Sequence, residues 1–179
     1  MTKSLINKYT INTRYQRSAR IDTDWKNDIV SGYVLHGTAR NVVRRIAEQI
    51  SDNEKPQKSF TITGPYGGGK SSLALIIANL VSDNLNVQKQ TLKIFKEKQD
   101  QSLLKKTFAT SKGWLTIRVV GSRSNPIDSI YYSTIEAIKN RFKKISSKIN
   151  ISKKPSQINL LKLFDQLTFE LSKTDDGIM

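Results

Sequence analysis

Cysteine is absent from the 179-residue chain, which excludes a disulfide framework, a thiolate metal centre and a cysteine nucleophile together. A single histidine, His36, leaves no set of imidazoles for a metal site. No apolar run approaches the roughly 18 residues that a membrane-spanning helix needs, so the expected location is cytoplasmic, with no membrane span. Acidic residues are scarce. Asp and Glu number 15 against 30 Lys and Arg, a formal charge of +15 and a sequence pI near 10.0. Hydrophobic residues, at 37%, are few but sufficient for one packed domain rather than a disordered chain.

An excess of cations favours polyanionic partners: nucleic acid, an anionic membrane surface or nucleotide phosphates. A second reading stands beside it. Lysine outnumbers arginine more than two to one, and Ile and Asn are frequent, as in proteins from AT-rich genomes where lysine fills solvated surface. The amino end is free of acids: Lys3, Lys8, Arg14, Arg17 and Arg20 precede the first acid, Asp22. An acid-free basic start has the character of an organellar presequence, but Leu5, Ile6, Tyr9 and Ile11 make a weak helical face and there is no secretory apolar core. Residues 1–36 read as a basic arm and lead-in segment, and residues 37–179 as the folded domain.

From Gly37 the periodicity is helical. Ala39, Val42, Val43, Ile46, Ala47 and Ile50 recur on one face, with Thr38 as the expected N-cap. Phe60-Thr61-Ile62-Thr63 reads as a short strand, and residues 70–82 as a buried helix carrying Leu73, Ala74, Ile76, Ile77, Leu80 and Val81. Residues 86–108 predict one or two exposed, lysine-rich helices. Trp114 to Val120 reads as a second strand. Asn125-Pro126 opens a long helix running to Ile149, with Lys139, Arg141, Lys143, Lys144 and Lys148 on its polar face. Ser156 caps a last helix through Leu160, Leu161, Phe164, Leu167 and Leu171. Strands alternating with helices predict an α/β fold, a parallel sheet flanked by helices.

Between the first strand and its helix lies Gly64-Pro65-Tyr66-Gly67-Gly68-Gly69-Lys70-Ser71, which matches G-x-x-x-x-G-K-[ST] at every fixed position. Glycines let a backbone wrap closely around phosphate and take positive φ, so that N–H groups point inward. The helix beginning at Lys70 adds free N–H groups and its positive dipole end. In this pattern Lys70 reaches the β- and γ-phosphates and the Ser71 hydroxyl ligates Mg²⁺, with Ser72 either a further phosphate contact or a first-turn helix residue.

The loop resembles the Walker A motif of P-loop NTPases. With the arginine-bearing helix before it, the stretch of about residues 30–135 is similar to AAA-type and signalling (STAND-like) ATPases, and to the amino-terminal part of a large prokaryotic ATP-binding protein. The resemblance implies ATP and Mg²⁺ as ligands, held by Gly64, Pro65, Tyr66, Gly67, Gly68, Gly69, Lys70, Ser71 and Ser72, with Tyr33, Val34 and Leu35 near the base. It also implies a Walker B motif, an apolar strand ending in Asp. No acidic residue after Ser71 has that setting; Asp165, preceded by Leu160-Leu161-Lys162-Leu163-Phe164, has helical spacing. Asp176-Gly177-Ile178-Met179 reads as a turn opening a strand, so the sheet is expected to be incomplete, its missing strand supplied by further sequence or a partner chain. Arg123, after the second strand, reads as a solvated loop residue. Two functions remain: an ATPase module, or a module that binds nucleotide or nucleic acid without turnover. A kinase would need an acceptor-site base and a lid, neither of which is visible.

Overall fold

The computed structural model describes residues 19–24, 30, 32–108, 113–121, 123–141, 149, 151 and 154–172. Among these residues there are six helices: α1 (Gly37–Ile50), α2 (Lys70–Leu80), α3 (Leu85–Lys93), α4 (Lys98–Thr107), α5 (Pro126–Arg141) and α6 (Gln157–Ser172). The arm residues Lys3, Lys8, Arg14 and Arg17, the lysines Lys143, Lys144 and Lys148, and the turn at Asp176-Gly177 lie outside the described residues.

α1 buries Ala39, Val43, Ile46 and Ala47, the face its periodicity sets. Its cap is His36 rather than Thr38: the imidazole Nδ1 accepts from the Ala39 N–H at 3.3 Å, meeting one of the free donors of the first turn. α1 packs on α4, α2 on α3, and α3 on α4. The shared core joins Val43, Ile76 and Leu80 with Phe95, Leu104 and Phe108, all almost fully buried. The α3–α4 segment is therefore not simply exposed: its aromatic residues close the core, each burial contributing roughly 1.5–3 kcal/mol. Arg40 of α1 and Asp100 of α4 form an ion pair across this packing, with the carboxylate 2% exposed.

A second, separate core lies between α5 and α6, where Tyr131, Ile135 and Ile138 meet Leu163, Leu167 and Leu171. Both caps follow the sequence reading. Asn125 Oδ1 accepts from the Ile127 N–H at 3.0 Å, and Ser156 Oγ accepts from the Asn159 N–H at 3.1 Å.

The expected parallel sheet is not there. Among the described residues no strand and no sheet ladder forms, so the α/β P-loop NTPase architecture, with its AAA and ATPase associations, is corrected to a helical arrangement joined by extended segments. Residues 59–65 and 113–121 lack helical structure, as their composition predicts, but their recorded backbone bonds go elsewhere. The Trp114 N–H donates to the Val81 carbonyl at the end of α2, at 2.8 Å. The carbonyls of Gly113 and Trp114 accept from the Arg141 guanidinium of α5. The Ser59 carbonyl accepts from Gln57 Nε2 at 2.7 Å, and the Gln57 N–H donates to the Gln49 carbonyl of α1. Two isolated extended segments with no central strand make a marginal pair, and helix ends and side chains take the polar groups instead.

Candidate functional site

The glycine loop stands at the start of α2. Gly67 and Gly69 have φ of 76° and 77°, in the left-handed region where a Cβ is strained, and Gly69 is the N-cap. The Gly68 N–H donates to the Pro65 carbonyl at 3.2 Å, closing a turn, and a Cβ at Gly68 would lie 3.1 Å from that same oxygen. The first helical bond runs from Leu73 N–H to the Gly69 carbonyl at 2.9 Å, and no side chain caps the helix. The N–H groups of Lys70, Ser71 and Ser72 thus face the loop side without a helical acceptor. Left-handed glycines next to a helix start are the backbone form that makes anion-binding concavities.

Lys70 supplies the charge. Its Nζ donates to the Gly64 carbonyl at 2.9 Å and to the Pro65 carbonyl at 2.7 Å, so the ammonium folds back over the loop on neutral acceptors. No described carboxylate pairs with it. The hydroxyl-bearing Ser71 is exposed and Ser72 half-buried, both in the first turn of α2. Residues 64–69 are exposed throughout, and Tyr66 at the tip is 99% exposed. Gly64 through Ser72 thus form one turn and helix start.

Tyr33, Val34 and Leu35 precede α1. Tyr33 and Leu35 pack against the first core, and burial raises the Tyr33 phenol above its ordinary pKa; Val34 points out and is 80% exposed. Arg123 is an exposed loop residue, as expected. Asp100, one of the acids with no Walker B setting, is committed to Arg40. Asp165 lies exposed within α6, in keeping with its helical spacing.

Three cavities border the extended segments rather than the glycine loop. One of about 430 Å³ lies between α1 and residues 57–62, lined by Arg45 and Phe60. Two of about 390 and 400 Å³ are lined by Thr116, Arg118, Ala137 and Asn140, with Trp114 in one and Arg20 and Asp22 in the other. Burial lowers the Arg118 pKa, partly offset by attraction to Asp83. A 2.7 Å bond from Arg20 holds the Asp22 carboxyl below its ordinary range. These three cavities and the donors suited to a phosphate thus fall in different places. The cavities mark where extended chain meets helix, whereas donors suited to a phosphate gather at the open loop. The sequence reading offered no signal for the cavities, because they arise from extended segments that do not pair.

Among the described residues no helix is long and apolar enough to cross a membrane. No protein-family model, curated protein or solved structure matches the chain.

Proposed function

We propose that residues 64–72 bind the phosphate chain of a nucleotide, with ATP–Mg²⁺ as the ligand. The observation that carries this reading is the Lys70 ammonium resting on the Gly64 and Pro65 carbonyls beside uncapped helix N–H groups. A cation held by neutral oxygens at a helix start is a complete half-site for a multiply charged oxyanion. The loop N–H groups and the start of α2 would receive phosphate oxygens, and Lys70 would turn from its carbonyls to the anion.

No cluster of three or more His, Cys, Asp or Glu suited to a metal exists among the described residues. The ion would arrive with the phosphates, and the Ser71 hydroxyl would ligate it. The proposed role is that of a nucleotide-binding module. Turnover, which needs a positioned water as well as held phosphate, is no part of this role.

The test is equilibrium binding of a fluorescent ATP analogue with Mg²⁺ to the wild type and to Lys70→Ala, with helix content checked by circular dichroism. Loss of at least tenfold in affinity at unchanged helicity is expected. Equal affinity for the two proteins would overturn the reading.

A further inference from the structure

The positive charge is not spread evenly over the helices. Within α5, Lys139 and Arg141 are balanced by Asp128 and Glu136, and Arg141 is turned onto backbone carbonyls. In α6, Lys162 is outnumbered by Asp165 and Glu170. The hairpin of α3 and α4 differs. Lys89, Lys93, Lys96, Lys98, Lys105 and Lys106 are all exposed, against Glu97 and Asp100 alone. Asp100 is buried and spent on Arg40, so it does not neutralise the surface. None of the six lysines forms an ion pair with a described residue. Among the described helices lysine gathers on this element, whereas α1, α2, α5 and α6 together carry three lysines.

The spacing is ordered by the fold. Lys89 and Lys93 stand one turn apart on α3, about 6 Å along its axis, and Lys98 and Lys105 two turns apart on α4, about 10 Å. Gln88, Thr91, Phe95, Leu104 and Thr107 turn inward, so packing holds the opposite faces outward. The hairpin's core-facing side is closed by Phe95 and Phe108, and Leu85, at 48%, is its one strongly exposed large apolar side chain. An anionic bilayer gains much of its hold on an interfacial helix from apolar side chains sunk among the lipids, which this surface lacks. A rigid cationic surface with polar neighbours suits the closely spaced phosphates of a nucleic acid.

We propose that the α3–α4 hairpin is a sequence-independent docking surface for the phosphate backbone of nucleic acid, distinct from the glycine loop. Backbone contact by lysine without base-reading side chains predicts little sequence preference and a steep salt dependence, because each neutralised phosphate releases counterions.

Fluorescence anisotropy of the full chain on a labelled 30-base-pair duplex, titrated with KCl, tests this. One variant carries Lys89→Glu, Lys93→Glu, Lys96→Glu and Lys98→Glu. A charge-matched control carries Lys55→Glu, Lys58→Glu, Lys139→Glu and Lys162→Glu, all exposed positions elsewhere. The hairpin variant is expected to bind at least tenfold more weakly than the control at the same salt, with a salt slope lower by about 3–4, near 0.9 per lost phosphate contact. Lys70→Ala should bind the duplex as the wild type does, which separates this surface from nucleotide binding. Equal weakening of both quadruple variants, no binding by the wild type at low salt, or stronger binding to phosphatidylserine vesicles than to the duplex would overturn the proposal.

Discussion

The glycine loop and the crossing at Gly113 both carry glycine at positive φ, yet they stand in opposite surroundings. At Gly67 and Gly69 an added Cβ would meet nothing within 4 Å. At Gly113, φ 66°, it would lie 2.4 Å from the Asp83 backbone nitrogen and 2.6 Å from the Ser82 carbonyl carbon. The first pair keeps backbone donors open to solvent; the second lets the chain pass against the turn after α2. Left-handed glycine alone therefore does not mark a ligand site. The difference lies in what stands opposite the missing side chain: open space in one case, packed backbone in the other.

Alanine at each place breaks or sharpens that contrast, and Gly113→Ala has the largest expected effect. It adds a backbone clash to left-handed strain, for a loss of about 2–4 kcal/mol in urea unfolding. Gly69→Ala meets open space and pays left-handed strain alone, about 1 kcal/mol, while its phosphate affinity falls. Equal destabilisation by the two substitutions would remove the distinction.

Arg141 comes next, because it ties the crossing at Gly113 to the second core. Its guanidinium donates to the carbonyls of Gly113 and Trp114. Arg141→Ala strands those carbonyls and is expected to cost about 1.5–3 kcal/mol. Hydrogen exchange should then quicken in α5 and α6 while α1 to α4 keep their protection, since the two cores share no buried residue. Uniform quickening through all six helices would show that the cores act as one.

The helices were legible because their apolar spacing reports burial directly. Val43, Ile46 and Ala47 of α1, Leu167 and Leu171 of α6, and the Asn125-Pro126 helix start stand where the pattern places them, whereas Leu161 is 57% exposed and Leu163 is buried in its stead. The sheet was misread for a physical reason. β-Branched runs such as Phe60 to Thr63 and Trp114 to Val120 favour extended chain, and these segments lack helical structure. Propensity does not say which group receives each backbone hydrogen bond. Val81, Arg141 and Gln57 take bonds that a neighbouring strand was expected to take, and no periodicity announces such partners. His36 was missed as a cap because imidazole is a rarer acceptor there than the hydroxyl of Thr38. The glycine turn and the helix start at Lys70 were legible, since a loop of eight consecutive positions needs no tertiary contact to be assembled.

That local character sets the smallest expected effect, at Tyr66. The side chain is 99% exposed at the tip of the loop, so its removal forfeits almost no packing. Tyr66→Ala should change unfolding free energy by less than about 0.5 kcal/mol. It should also leave ATP-analogue affinity within about twofold of wild type, because the proposed donors are backbone N–H groups and the Lys70 ammonium, none of which depends on the ring. The same fluorescence titration used for Lys70→Ala measures this. A tenfold loss would mean that the aromatic ring itself holds the ligand, and the loop would then be a side-chain site rather than a backbone cradle.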